Sequence, residues 1–158
     1  MRDDGAVESS WATSEATRAS MLGNRSRDTL PELALRRLLH ARGLRYRVHA
    51  RPLPEFRRTA DLVFRPARVA VFVDGCFWHR CPEHGTHPKA NSDYWTPKLD
   101  RNVARDRETD ERLRREGWLV IRAWEHEDPR AVAARVVRAV RLRRARAGHR
   151  PIVDRSDV

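Results

Sequence analysis

Apolar positions recur along this chain with two different periods, and the switches between them mark out its elements. "TLPELALRRLLHARG" carries Leu35, Leu38 and Leu39 on one helical face. Thr29 and Glu32 have the spacing of a capping box, Pro31 falls in the first turn, and Gly43 stops the helix. "LRYRVHA" then alternates like a half-buried strand, with Leu44, Tyr46 and Val48 on one side. The Pro-punctuated "RPLPEFRR" reads as a loop, followed by two short β-rich runs, "ADLVF" and "RVAVFVD". The second is apolar nearly throughout, as a strand covered on both faces should be. A long loop is expected from Gly75 to about Pro97. A charged helix follows over 98–116, with Leu99, Val103 and Leu113 as its sparse apolar stripe and Gly117 at its end. "WLVIRAW" reads as another buried strand. "PRAVAARVVRAVRLRRARAG" reads as a basic amphipathic helix with Val132, Val136, Val137 and Val140 inward.

The order helix, three strands, long loop, helix, strand, helix predicts one α/β layer structure. The helical crossover makes the third and fourth strands parallel if they are neighbours. Residues 1–24 lack any period and read as a flexible arm. At 158 residues the chain has room for one domain with a real core.

Charge adds a partner class. The formal net charge is +11, with Lys+Arg 33 against Asp+Glu 22, which favours phosphate polyanions. A genome rich in G and C accounts for the preference for Arg over Lys, but not for the positive excess. No apolar run approaches a membrane span and no signal-peptide core is visible, so the expected location is the cytoplasm.

The long loop holds the chemistry. "DGCFWHRCPEHG" contains Asp74, Cys76, His79, Cys81, Glu83 and His84 in twelve positions, including both cysteines. Cys76, Cys81 and His84 have spacings that one zinc ion accepts; two reduced thiols beside an exposed histidine are the alternative. A closed site needs a fourth ligand, for which His126 and His87 compete. Asp61 and Asp74 stand at strand ends, where two carboxylates can hold a hard cation such as Mg²⁺. His79 suits a general base, although it too is a potential zinc ligand. Pairing with arginine is the ordinary alternative for Asp61. Phe77-Trp78 and Tyr94-Trp95 fall on no structural period and are better explained by stacking on bases, whereas Trp118 and Trp124 read as core.

These stretches, above all "GCFWH", "YWTPKLDRNVARD" and "GWLVIRAWEHE", closely resemble the very short patch repair (Vsr) endonucleases, which nick DNA at T:G mismatches. The likeness covers roughly residues 18–145. It implies a restriction-endonuclease-like PD-(D/E)xK core, a central mixed sheet flanked by helices, with a zinc-stabilised loop. The domains it implies are a flexible arm at 1–17, the endonuclease at 18–146 and a flexible tail at 147–158.

Carried over residue by residue, Asp61 matches the family's Mg²⁺-binding aspartate, His79 its catalytic histidine, and Glu32 an acid of the first helix near the active site. Phe77, Trp78 and Trp95 match aromatics wedged beside the mismatch, with Tyr94 adjacent. Cys76 and Cys81 match structural zinc ligands. The chain also departs from better-known members. The extra histidines that they crowd between the two cysteines are missing, so that ligand is assigned to His84, and a distal cysteine is replaced by His126. Val73 stands where some have threonine, leaving its backbone carbonyl to bind Mg²⁺. Asp74 replaces a histidine and adds either a metal ligand or a salt bridge. Arg101, Arg105 and the basic last helix are expected on DNA phosphates.

The implied activity is Mg²⁺-dependent nicking beside the thymine of a T:G mismatch left by 5-methylcytosine deamination. The enzyme would be a bacterial monomer at the nucleoid, with mismatch-repair proteins as candidate helpers. A restriction-type nuclease on the same core and a non-catalytic zinc-containing DNA-binding module are the rival readings.

Overall fold

A computed structural model describes residues 27–85 and 89–148. Its elements are α1 (Leu30–Ala41), β1 (Arg47–Ala50), β2 (Ala60–Phe64), β3 (Val69–Asp74), α2 (Ser92–Arg115), β4 (Leu119–Trp124) and α3 (Pro129–Gly148). The strands form one sheet in the order β1-β2-β3-β4. The first three are antiparallel, and β4 runs parallel to β3, as a helical crossover requires. The sheet is therefore mixed, with helices on both faces.

Strand side chains alternate between two cores. Leu62 and Phe64 of β2, Val69 and Val71 of β3, and Ile121 and Ala123 of β4 meet α1 and α3 through Leu35, Leu39, Val132, Val136 and Val140. The opposite parity sends Val63, Ala70 and Phe72 towards α2, where Leu113 and Trp118 close a smaller cluster. This alternation places Asp74 and Arg122 on the α2 side, two residues beyond Phe72 and directly across from it in register.

Both long-range turns out of helices end the same way. Gly43 at φ +76° and Gly117 at φ +80° occupy a left-handed position that glycine adopts without Cβ strain. Their N–H groups bond His40 O and Arg114 O, and the next N–H groups, of Leu44 and Trp118, bond Leu39 O and Leu113 O. These are Schellman endings, each fastened by burial of the following apolar residue.

Three local expectations fail. The long loop ends at Asn91 and not near Pro97, because α2 takes in Tyr94, Trp95 and Pro97 in its first two turns. β1 begins at Arg47, and of the expected inward face Leu44 is buried and Tyr46 packs on the core, while Val48 is exposed on the edge strand. Thr29 and Glu32 form no capping box: the Thr29 hydroxyl bonds the Glu32 carboxylate, which accepts the Asp28 N–H instead. Glu32 is drawn away from capping by Arg36 of the same helix. The expected N-terminal arm and His87 lie outside the described residues. Among the described residues no helix is long and apolar enough to cross a membrane.

Candidate active site

The site lies at the end of β3, where Gly75 leads into the loop. Strand β2 brings Asp61, and the β2–β3 ladder runs from Phe64↔Val69 to Leu62↔Val71. Beyond it the Val73 N–H donates to Asp61 Oδ2 at 2.7 Å. Helix α1 brings Glu32, β1 brings His49, and α2 brings Asn102, Arg105 and Asp106. All of these, with Val73, Asp74, Phe77, Trp78, His79 and Arg122, line one cavity of about 750 Å³.

The loop itself is tied down at several points. The Cys76 N–H donates to Glu125 at 2.8 Å, and the Asn102 amide donates to the Trp78 carbonyl at 3.2 Å. The Cys81 N–H returns to Cys76 O, and the Gly85 N–H to Cys81 O. A Cβ on Gly85 would sit 2.4 Å from that carbonyl, so only glycine lets the chain double back there.

His79 is oriented by carboxylates. Its Nδ1 meets Asp106 Oδ2 at 2.5 Å and lies 3.9 Å from Asp74 Oδ1. Engagement of Nδ1 leaves Nε2 as the nitrogen able to accept a proton. Burial opposes the charged ring, but the Asp106 hydrogen bond and the charges of Asp74 and Asp106 outweigh it and hold His79 above its ordinary pKa. The Asp61 carboxyl is raised as well, for a different reason: burial, followed by repulsion from Glu32 and Asp74, pushes it up to about 7 against the Val73 hydrogen bond and Arg36. Asp61 is partly exposed, with His49 Nδ1 3.7 Å from its Oδ1 and the charge of Arg36 acting on it, and its oxygens are of the kind a hard cation takes. Among the described residues the carboxylate–histidine groups close enough to share one ion are Asp28, Glu32 and His49, and Asp74, His79 and Asp106; Asp61 is in neither, and what fits Mg²⁺ there is the hard oxygen chemistry of its carboxylate.

Asp74 is 5% exposed, and both its oxygens accept from Arg122 Nη1 at 2.9 Å. Burial raises its pKa despite the pull of Arg122 and His79. Next to the lining residues Glu32 and His49, Arg36 donates to Asp28 at 2.6 Å and Glu32 at 3.1 Å, and lies 2.9 Å from His49 Nε2.

The second cluster is soft. Ligand atoms of Cys76, Cys81, His84 and His126 all lie within 4.8 Å of one another. His126 Nδ1 stands 3.1 Å from Cys76 Sγ and 3.7 Å from Cys81 Sγ. Burial, reinforced by Cys81, pushes the Cys76 thiol up to about 12, and a bound dication would displace its proton. Two sulfurs and two imidazoles within one coordination sphere fit zinc. His126 comes from just beyond β4, so this cluster fastens the loop to the sheet.

The aromatic residues form one stack of edges. Phe77, Trp78 and Trp95 are mutually edge-to-face at 5.2 to 5.8 Å, and Tyr94 joins through Trp95 at 5.1 Å. Lys98 Nζ lies 5.4 to 5.6 Å from the rings of Trp78, Tyr94 and Trp95. The structure places Trp95 differently from the stacking surface expected for it: at 6% exposure it is a buried support for Phe77 and Trp78, which stay half-exposed at the cavity. Arg105 lines the cavity, and Arg101 is exposed on the same helix outside the lining. Trp118 is buried, whereas Trp124 is only partly so.

Sequence reasoning missed Asp106, Arg122, Arg36 and His49. Asp106 lies within "NVARD", and one helical turn of spacing from Asn102 would have placed both on the same face. Nothing in the sequence pairs Arg122 with Asp74.

Comparison with known proteins shows what the chain is similar to. The family model described as DNA mismatch endonuclease Vsr matches residues 11–83. Type II nicking enzyme V.NaeI of Lentzea aerocolonigenes is 48% identical over 120 residues, covering 75% of this chain and 72% of that protein. Type II nicking enzyme V.XorIIP of Xanthomonas oryzae pv. oryzae is 44% identical over 117 residues, covering 72% and 82%. DNA mismatch endonuclease Vsr of Escherichia coli (strain K12) is 36% identical over 116 residues, 70% of each chain. With an α/β core, a histidine held by an aspartate and likeness across most of its length to these enzymes, the chain belongs to the Vsr family of DNA mismatch endonucleases.

Proposed function

We propose that this protein is a Mg²⁺-dependent DNA endonuclease that nicks one strand beside the thymine of a T:G mismatch. The observation that carries the reading is the pairing of His79 Nδ1 with Asp106 in the cavity that Asp61 also lines. Asp61 and the Val73 carbonyl would hold Mg²⁺, which when bound polarises the scissile phosphate and stabilises the charge that develops on it.

The chain's own groups do the rest. Asp106 fixes the ring of His79 so that Nε2 takes a proton from the attacking water. The water oxygen bonds phosphorus as one P–O ester bond breaks, and the departing sugar oxygen takes up a proton from solvent. Glu32 lies across the cavity as part of its acidic wall. Phe77 and Trp78, braced by Trp95, present an apolar edge that can enter a base step. A T:G pair is cheaper to open than a matched one, so such a wedge favours mismatches. Tyr94 extends the platform, and Arg101 and Arg105 add phosphate contacts along α2. Cys76, Cys81, His84 and His126 would hold Zn²⁺ and keep the wedge loop in place.

The names of the relatives, nicking enzymes, support cleavage of one strand over the double-strand cut of a restriction enzyme. The test is nicking of matched and T:G duplexes, with Mg²⁺ or with EDTA. We expect T:G nicking that needs Mg²⁺; equal cutting of matched DNA refutes the mismatch reading. No cutting of either duplex leaves only a DNA-binding module.

A further inference from the structure

Two carboxylates face the same atom of His79. Asp106 Oδ2 is bonded to Nδ1, and Asp74 Oδ1 stands 3.9 Å from it. Only one of them can accept the single Nδ1–H in good geometry. What separates them is Arg122, on the strand next to Asp74. Its Nη1 occupies both Asp74 oxygens at 2.9 Å, and its Nη2 lies 3.4 Å from the other oxygen of Asp106. Its Nε donates to Asp110 at 2.9 Å, and its plane lies over the Phe72 ring at 4.5 Å.

A guanidinium held on every edge is a rigid fork, unlike a mobile surface arginine. Asp74 is thereby spent on Arg122, and Asp106 is steered to His79. We infer that Arg122 is a positioning residue of the proposed nuclease site: it withdraws Asp74 from His79 and leaves Asp106 as the sole partner of Nδ1. Asp74 is on this account the counter-ion of Arg122, not a ligand of Mg²⁺. The inference rests on the reading of His79 as general base.

Without Arg122, Asp74 keeps its burial but loses its partner, and the Nδ1–H is its nearest replacement. His79 would then turn out of alignment with the attacking water. A purely structural arginine would behave differently, and Asp110 tells the two apart, because Asp110 bonds Arg122 but makes no contact with His79.

The experiment is single-turnover nicking of a T:G duplex with saturating, zinc-loaded full-length protein, well below the melting temperature. Four variants are compared: Arg122→Met, Arg122→Lys, Arg122→Met/Asp74→Asn and Arg122→Met/Asp110→Asn. Arg122→Met should lower the rate about 10- to 100-fold, the usual cost of losing the support of a functional group. Arg122→Lys, with one point charge in place of a fork, should recover only part of it. Replacing Asp74 by Asn in the Met background should restore rate; replacing Asp110 should restore thermal stability alone. Recovery that follows stability equally in both doubles overturns the inference, as does an undiminished rate in Arg122→Met.

A crystal structure of Arg122→Met/Asp110→Asn decides the point without activity. It should show Asp74 within hydrogen-bond distance of His79 Nδ1, and an unchanged His79–Asp106 pair overturns the assignment. If wild-type protein fails to nick, the nuclease reading fails, and the crystallographic result still tests the selection between the two carboxylates.

Discussion

Asp61→Asn should make the metal-free protein more stable while abolishing nicking. In the folded chain Asp61 is pushed up to about 7 from 3.8, first by burial and then by Glu32 and Asp74. Below the lower value both folded and unfolded states are protonated, and the group contributes nothing. Between the two values the unfolded chain ionises first, so stability falls as pH rises, and above about 7 the full cost is present. A rise of that size corresponds to roughly 4 kcal/mol at 25 °C, an upper bound because the cavity admits water. Asparagine keeps an oxygen for the Val73 N–H at 2.7 Å and carries no charge to be repelled.

The assay is urea unfolding of zinc-loaded wild type and Asp61→Asn, without Mg²⁺, at intervals from pH 5 to pH 8. The two curves should diverge as pH rises, with the variant gaining a few kcal/mol by pH 8. Adding Mg²⁺ at about a hundred times its Kd should return about 2.7 kcal/mol to wild type and nothing to the variant. Parallel curves with identical responses to Mg²⁺ would refute both the electrostatic argument and the assignment of Asp61 as ligand.

Other outcomes follow from the same geometry. His79→Ala should slow nicking about 10²- to 10⁴-fold without weakening DNA binding measured by anisotropy. In wild type the rate should fall as pH drops through a midpoint above the ordinary histidine value; Asp106→Asn should move that midpoint down, since the Asp106 hydrogen bond holds it up. Cys81→Ala and His126→Ala should each lose one equivalent of zinc by metal analysis, and retention removes that residue from the ligand set. Trp95→Ala should cost about 3–5 kcal/mol of stability in chemical denaturation, because the ring is buried. Trp78→Ala should instead lower the preference for T:G over matched duplex with little change in unfolding midpoint.

Periodicity alone determined most of the architecture. Apolar spacing located α1, β2, β3, β4 and α3, because each buries a face whose period is that of its backbone geometry. The failures came where local pattern and tertiary contact diverge. Val48 fits the alternation, yet at the edge of the sheet it is left exposed. Pro97 suggested a loop, yet it sits in the second turn of α2, where it removes one internal hydrogen bond without ending the helix. The same holds for the site. Asp61, His79, Glu32 and the four zinc candidates could be named from residue type, spacing and resemblance, since the chemistry restricts which side chains serve. Asp106 lies 27 residues from His79, and Arg122 lies 48 from Asp74. Contacts that distant arise only when α2 crosses the sheet and β4 pairs parallel to β3, which puts Phe72 and Arg122 in register. The sequence could supply two carboxylates and one histidine; which carboxylate meets it is decided by the strand pairing that delivers Arg122.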